Sequence, residues 1–264
     1  MAGPVLALLG LGVGALGTGA VLLGGTVASL SLGSISPPAA TSTAPSTALG
    51  PPGTPAVSPA LQTAAEAAAA GCPGLDWALL AGGALVDPPL AAGLASAATD
   101  LCTSTNRPAT FTALLPGPTD GQIALVLWHA LDANPALDTR AATAITFAAA
   151  NLGVPYRWGG TGPGGFDCSG LTLEAYRAAG VAIPRVAQDQ YDEGPQLPPG
   201  TAPEPGDLVF FGSGPAGVSH VGLYIGGGEM IDAPHTGVDV RVEPTPTTPG
   251  APFGSDIYVG ATRP

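Results

Sequence analysis

The stretch "GGFDCSGLTLEAYRAAG", residues 164–180, places a cysteine between an acid and a serine, where a glycine-rich loop gives way to a helical pattern. Unpaired backbone N–H groups at a helix N-terminus favour an anion, and the thiolate is the reactive form of cysteine. A buried structural thiol has no need of such a setting. The sequence therefore predicts that Cys168 is a nucleophile.

A cysteine nucleophile needs a base within hydrogen-bond reach and a third group that orients the base. The chain has three histidines. His129 lies within the apolar pattern "GQIALVLWHALDA", where a half-buried helix residue is the simpler interpretation. His220 begins the strand-like run "HVGLYIG" and is the predicted base. His235, in "APHTG", is the second choice.

The predicted third group comes from the pairing of two strand-like runs. If "GLYIG" and "EMIDA" form an antiparallel hairpin about a turn centred near Gly226, residues whose numbers sum to about 452 face each other. His220 then faces Asp232, which is expected to accept a hydrogen bond from Nδ1 of the imidazole. Because side chains alternate along a strand, His235 would point to the other face unless a bulge intervenes. The alternative makes Asp232 a solvated turn residue.

Metal and phosphate chemistry find less support in the sequence. A zinc site would need paired spacings such as C-x-x-C or H-x-x-x-H, and neither occurs in the second half of the chain. The glycine-rich "GGTGPGG" lacks the Lys-Ser/Thr ending of a phosphate-binding loop. We therefore expect neither a metal nor another cofactor.

The elements around these residues indicate an α+β fold. The segment "TRAATAITFAAANLG" predicts a helix with Asp138 as its N-cap, ended by Gly153 and Pro155. The runs "LVFFG", "HVGLYIG", "EMIDA" and "DIYVGATRP" then predict consecutive short strands. Helices followed by strands favour a domain at residues 138–264, with the nucleophile's helix packed on an antiparallel sheet.

The first half of the chain divides into three segments by composition. Residues 1–32 are uncharged and aliphatic and could cross the roughly 30 Å core of a bilayer. They predict a signal or membrane segment; a buried core helix is the alternative, and a signal peptide would ordinarily begin with basic residues. Residues 33–59, rich in Pro, Ser, Thr and Ala, predict a linker. Residues 60–137 predict a small Ala-rich helical region.

Charge and cysteine content limit the partners and the compartment. The chain has no lysine, and its net charge of −12 argues against nucleic acid or an anionic membrane surface as a partner. Three cysteines fit an exported chain in which Cys72 and Cys102 form a disulfide and Cys168 stays free. The alternative is three isolated thiols.

The motifs "VPYRWGGTGPGGFDCSGLTLEAYRAAGVAIPR", "PGDLVFFG" and "SHVGLYIGGGEMIDAPHTG" together resemble the NlpC/P60 family of cysteine peptidases, over about residues 139–264. The resemblance implies a papain-like fold and cleavage of peptidoglycan stem peptides, typically between D-γ-glutamate and a diamino acid. It also implies Cys168 as the nucleophile and His220 as the base. At the position where the family most often has a third histidine, this chain has Asp232.

The resemblance implies roles for three further residues. Tyr156, in "PYRWGG", would lie beside the thiol and help at the oxyanion and substrate pocket, while Asp167 and Ser169 would contact the substrate. A second resemblance, of "CPGLDWALLAGGALVD" to the opening of lytic transglycosylase domains, implies a degenerate remnant in which Asp87 stands at the place of a glutamate.

The sequence thus predicts an extracytoplasmic, monomeric cell-wall hydrolase, anchored in the membrane by residues 1–32 or secreted if they are cleaved. Its partner would be peptidoglycan stem peptides, attacked by a Cys-His-Asp thiol mechanism. The main alternative is a catalytically silent peptidoglycan-binding module on the same fold. An acyltransferase or amidase is disfavoured, because no part of the domain reads as a long apolar ligand tunnel.

Overall fold

The computed structural model describes Thr18–Leu23, Thr26–Ser31 and residues 54–264. The first two segments are strands, β1 and β2, which pair antiparallel with Thr18 opposite Ser31. The rest of the predicted leader and most of the predicted linker lie outside the described residues. Among the described residues, none of the helices combines the length and the apolar character needed to cross a bilayer.

Nine helices occupy most of residues 54–193 of the described chain. Pro residues begin three of them, because proline fits the first helical turn, where its missing N–H is not needed. The helices are α1 (Pro59–Ala69), α2 (Trp77–Val86), α3 (Pro88–Ala92), α4 (Leu94–Thr103), α5 (Arg107–Ala113), α6 (Pro118–Ala133), α7 (Thr139–Ala150), α8 (Cys168–Ala178) and α9 (Ala187–Glu193).

Helices α2 and α6 pack closely because a glycine lies where they face each other. A Cβ atom added at Gly82 of α2 would lie 2.9 Å from the carbonyl oxygen of Ala124 in α6, so glycine allows the two backbones to approach.

Cys72, in the turn before α2, forms a disulfide with Cys102 of α4, which confirms the predicted pairing. Cys168 is free, as expected.

The C-terminal part folds into one antiparallel sheet of six strands. Their order across the sheet is β6-β5-β4-β3-β8-β7. The strands are β3 (Leu208–Gly212), β4 (Val218–Gly226), β5 (Glu229–Asp232), β6 (Arg241–Pro244), β7 (Pro252–Phe253) and β8 (Asp256–Thr262). The predicted strands are thus present, and β6 and β7 are additional.

The two faces of the sheet bury different side chains. One face, with Phe210 and Val221, packs against the helices and belongs to a core that continues into α1–α7. The other face carries a smaller apolar cluster that includes Phe211, Met230 and Tyr258. The predicted α+β class is confirmed, with an N-terminal helical region and the nucleophile's helix packed on an antiparallel sheet. The predicted boundary near residue 138 stays a prediction.

Candidate active site

Cys168 is the first residue of α8, and the residue before it fixes this start. Oδ1 of Asp167 accepts a hydrogen bond of 2.7 Å from the backbone N–H of Gly170, which is an N-cap. The backbone N–H of Asp167 donates to the carbonyl oxygen of Gly160 at 3.1 Å, so the glycine-rich loop lies against the helix end. The partly exposed thiol therefore lies at the positive end of the helix dipole.

Strands β4 and β5 bring the predicted base and its predicted orienting carboxylate together. Nε2 of His220 lies 2.8 Å from Oδ2 of Asp232. The Asp232 side chain is fully buried and that of His220 is 12% exposed. The prediction named Nδ1 as the nitrogen bonded to Asp232, and this was wrong. Since Nε2 is engaged, Nδ1 is the nitrogen left for the thiol.

The register of the hairpin also differs from the prediction. Leu223 pairs with Ile231, which centres the turn at Gly227, one residue later than predicted, and moves the partner of each residue by two positions. Residues 226–228, which form this turn, all have positive φ. Asp232 is therefore diagonal to His220 and not directly opposite. A shift of two residues keeps every side chain on its own face, and a diagonal neighbour is still within reach. His220 and Asp232 are therefore still in contact, although the predicted register was wrong.

The surroundings of His220 favour its charged form. Burial alone would lower the pKa of His220, but the hydrogen bonds with Asp232 and with Cys168, together with their charges, raise it to about 10. The imidazole also lies 5.9 Å from the ring of Phe211 and 6.1 Å from the ring of Phe253, measured between centroids. These contacts restrict the ring, and the arrangement favours an imidazolium beside the thiol.

Asp167 and Ser169 flank the thiol, and Arg185 binds both of them. The guanidinium of Arg185 donates to Oδ2 of Asp167 at 2.7 Å and to Oγ of Ser169 at 3.0 Å. Sequence reasoning did not predict a role for Arg185. The signal that could have found it is chemical, because a nearly buried carboxylate next to a reactive thiol needs a compensating cation.

The Tyr156 side chain lies close enough to Cys168 and Asp167 for their charges to act on its phenol. Its backbone N–H donates to the carbonyl oxygen of Val238 at 3.1 Å, which holds its loop next to the segment after β5. Burial raises the pKa of Tyr156, and the negative charges of Cys168 and Asp167 raise it further. The phenol is therefore protonated at neutral pH and available as a hydrogen-bond donor.

The other two histidines lie apart from the thiol. His235 is exposed in the turn after β5, where Nδ1 lies 3.1 Å from the carbonyl oxygen of Thr236. His129 is a half-buried residue of α6, as interpreted, and its Nε2 lies 3.1 Å from the carbonyl oxygen of Gly226. Neither has a hydrogen bond or ion pair with the Cys168–His220–Asp232 group in the described part of the chain.

Glu243, on β6, completes a group that sequence reasoning missed. One ring nitrogen of His220 and one carboxylate oxygen each of Asp232 and Glu243, all possible metal ligands, lie within 4.8 Å of one another. A metal ion would accept such a spacing, but Nε2 and Oδ2 are already joined by a hydrogen bond. We therefore describe the group as an imidazole with two carboxyl groups behind it.

The fold and the group together are typical of thiol hydrolases: a cysteine at a helix N-terminus, facing an imidazole that a carboxylate orients from a strand. Comparison with known families gives a more specific result. Residues 153–249 match the model of the NlpC/P60 family. The similarity to this family thus covers the part of the chain that holds Cys168, His220 and Asp232.

Individual relatives match the same part of the chain. Peptidoglycan endopeptidase RipB of Mycobacterium tuberculosis is 42% identical over 123 residues, which cover 42% of this chain and 50% of RipB. The probable endopeptidase p60 of Listeria monocytogenes is 47% identical over 94 residues, 36% of this chain and 19% of p60. The chain therefore spans half or less of the length of these two relatives.

Solved structures of the family also match. The structure of the peptidoglycan hydrolase RipB from Mycobacterium tuberculosis has 36% identity and a TM-score of 0.40, covering 47% of this chain and 64% of that one. The P60 domain of an antigen from M. avium subspecies paratuberculosis has 34% identity and a TM-score of 0.40, covering 47% of this chain and 93% of that one.

Proposed function

We propose that this protein is a peptidoglycan endopeptidase that uses Cys168 as the nucleophile, His220 as the base and Asp232 as the orienting group. The observation that carries the proposal is the 2.8 Å contact between Nε2 of His220 and the fully buried Asp232. The free thiol of Cys168 lies close enough to the same imidazole to raise its pKa. The match to the NlpC/P60 family and the endopeptidase names of its relatives support the same assignment.

The proposed reaction proceeds through an acyl-enzyme. The Cys168 thiolate attacks the carbonyl carbon of a stem-peptide amide, and the carbonyl oxygen takes up the negative charge. His220 gives its proton to the leaving amine as the C–N bond breaks. Water, deprotonated by the now neutral imidazole, then attacks the thioester and releases the acid. Asp232 holds the imidazole in one orientation and stabilises its charged form throughout.

The proposed oxyanion and substrate contacts lie around the start of α8. Backbone N–H groups of the first helical turn point out of the helix end, where they can donate to the developing oxyanion. The phenol of Tyr156 adds a donor on the same side as the thiol. Asp167 and Ser169 are the proposed substrate contacts, and their bonds to Arg185 would keep both side chains in fixed positions.

We further propose the substrate and the place of action. The scissile bond is that between D-γ-glutamate and a diamino acid in stem peptides, and the protein acts as a monomer outside the cytoplasm. Residues 1–32 serve as an export signal or membrane anchor, and residues 33–59 as a linker that lets the enzyme reach the wall. The helical region is a remnant of a transglycosylase domain, with Asp87 in place of its acid.

The test is release of peptide fragments from purified peptidoglycan, followed by mass spectrometry. The full-length chain, purified in detergent, is compared with the Cys168→Ala variant. We expect fragments whose new ends identify the cleaved bond, and a loss of at least about a thousandfold in the variant, because no other group replaces the nucleophile. Wall binding without any release by the unaltered chain would reject the proposal in favour of a silent binding module.

A further inference from the structure

Asp232 has one oxygen that the proposed mechanism leaves unexplained. Oδ2 is bonded to His220, but Oδ1 is buried and has no hydrogen-bond partner in the described part of the chain. A buried carboxylate oxygen without a donor costs free energy, and it leaves the carboxylate free to rotate about its Cβ–Cγ bond. A carboxylate that orients a catalytic imidazole must instead be held in one position.

Glu243 is the side chain placed to fill this gap. In the pairing of β5 with β6, Glu243 lies opposite Met230 and Arg241 lies opposite Asp232. Opposed residues share a face, so the carboxyl groups of Glu243 and Asp232 are diagonal neighbours on one face of the sheet. Their oxygens lie within 4.8 Å of each other and of the His220 nitrogen, and the Glu243 side chain is only 16% exposed.

Two carboxyl groups this close cannot both ionise without strong repulsion, and one shared proton removes the repulsion. Burial raises the pKa of Glu243, and the negative charge of Asp232 raises it further, to about 7, against the opposing effect of Arg241. Arg241 on the same strand, Asp232 on β5 and His220 behind it are the charged or titratable groups around Glu243 in the described structure.

We propose that Glu243 is a positioning residue for the catalytic base: its protonated carboxyl group donates a hydrogen bond to Oδ1 of Asp232 and so holds Oδ2 against Nε2 of His220. Glu243 touches neither the thiol nor the substrate. Arg241 donates a hydrogen bond to Oε2 of the Glu243 carboxyl group. The inference rests on the proposed thiol mechanism and adds a fourth residue to it.

The arrangement makes the orientation of His220 depend on pH. When Glu243 loses its proton, Oδ1 of Asp232 loses its donor and gains a neighbouring negative charge. Asp232 then turns away from that charge and holds the imidazole less firmly. We therefore expect the reactivity of Cys168 to fall as the pH rises through about 7.

The experiment measures the thiol and not the hydrolysis of peptidoglycan. The rate of alkylation of Cys168 by iodoacetamide is followed from about pH 5 to pH 10, and the other two cysteines do not compete because they form a disulfide. Glu243→Gln keeps a hydrogen-bond donor, Glu243→Ala removes it, and Glu229→Gln is the matched control. Glu229 is a half-buried carboxyl group near His129, away from the thiol.

Three results are expected together. In the unaltered chain, the alkylation rate falls about threefold between about pH 6 and pH 8.5. Glu243→Gln keeps the rate that the unaltered chain has at about pH 6 and does not show this fall. In Glu243→Ala, the alkylation rate at about pH 6 is about tenfold lower than in the unaltered chain. Glu229→Gln behaves as the unaltered chain. In a chain with ¹³C-labelled glutamate carboxyl groups, NMR should show that the signal removed by Glu243→Gln titrates at a higher pH than the other glutamates.

Other results would overturn the proposal. These are a Glu243 signal that titrates with the other glutamates, equal damage in the Gln and Ala variants, or a step near neutral pH that persists in Glu243→Gln. The NMR measurement does not depend on whether the Ala variant folds. If alkylation behaves as expected but peptidoglycan is not cleaved, the role of Glu243 stands and the proposed substrate is wrong.

Discussion

Two histidine–carboxylate pairs lie at opposite ends of the β4–β5 hairpin. At one end, His220 and Asp232 are 2.8 Å apart and almost completely buried. At the other end, next to the turn, His129 of α6 lies 3.6 Å from Glu229, and both side chains are about one-fifth exposed or more, at 24% and 20%. Both pairs join an imidazole to a carboxylate, so we look to distance, burial and neighbouring groups for the difference in their chemistry.

The His129–Glu229 pair near the turn, the outer pair, joins the helical region to the sheet. Nε2 of His129 contacts the carbonyl oxygen of Gly226, and a Cβ atom at Gly227 would collide with the imidazole ring. The His129 side chain therefore packs closely on the turn. The His220–Asp232 pair, the inner pair, has the thiol of Cys168 as a third partner. Hydrogen bonds with Asp232 and Cys168 raise the pKa of His220 to about 10, although burial alone would lower it. His220 differs from His129 in having this third partner and in its greater burial.

The largest expected difference is in hydrolysis of peptidoglycan. Asp232→Asn keeps the shape of the side chain but removes the charge that stabilises the imidazolium, so we expect kcat to fall by about a hundredfold to ten-thousandfold. Glu229→Gln makes the matching change in the outer pair and should leave kcat within about twofold, because exposed ion pairs contribute little. Rates of fragment release for the two variants test this. Equal effects would contradict the comparison.

Much of the inner pair could be predicted from sequence because the argument depends on the face of a strand. The two-residue error in the register left Asp232 on the same face as His220, since side chains alternate with a period of two. An error of one residue would have placed Asp232 on the opposite face. Which imidazole nitrogen binds the carboxylate depends on the rotation of the ring, and the sequence contains no signal for that.

Other features were missed because their sequence signals are ambiguous. The prolines at positions 88 and 118 each begin a helix, a role that the composition of residues 60–137 does not reveal. Strand β6 is only four residues long, "RVEP", with two charges and a terminal proline, so it resembles a turn. Glu243 lies on this strand, and its position behind Asp232 follows from a strand pairing that a single sequence does not reveal.

The second expected difference is in how stability depends on pH. The pKa of His220 is raised in the folded protein, so the folded state binds a proton that the unfolded state releases at lower pH. This contribution is fully present below the ordinary value of 6.5 and is lost as the pH rises through about 10. The Cys168→Ala background removes ionisation of the thiol, and Asp232 still raises the pKa of His220 there.

Urea unfolding of Cys168→Ala at several pH values measures this effect. We expect the free energy of unfolding to fall by at least about 1 kcal/mol from neutral pH to about pH 10. Adding Asp232→Asn should flatten that dependence, because the main partner of the imidazolium is then uncharged. A decline of the same size with and without Asp232→Asn would show that other groups cause it.

The smallest expected effect is the coupling within the outer pair. A double-mutant cycle with His129→Gln and Glu229→Gln should give a coupling free energy below about 1 kcal/mol near neutral pH, since partly exposed charges are screened by water. His129→Gln should itself destabilise the protein more than Glu229→Gln does, because the ring of His129 fills the space against residues 226 and 227. A coupling of several kcal/mol would mean that exposure does not weaken this pair. The difference between this pair and the His220–Asp232 pair would then have to come from the thiol of Cys168 alone.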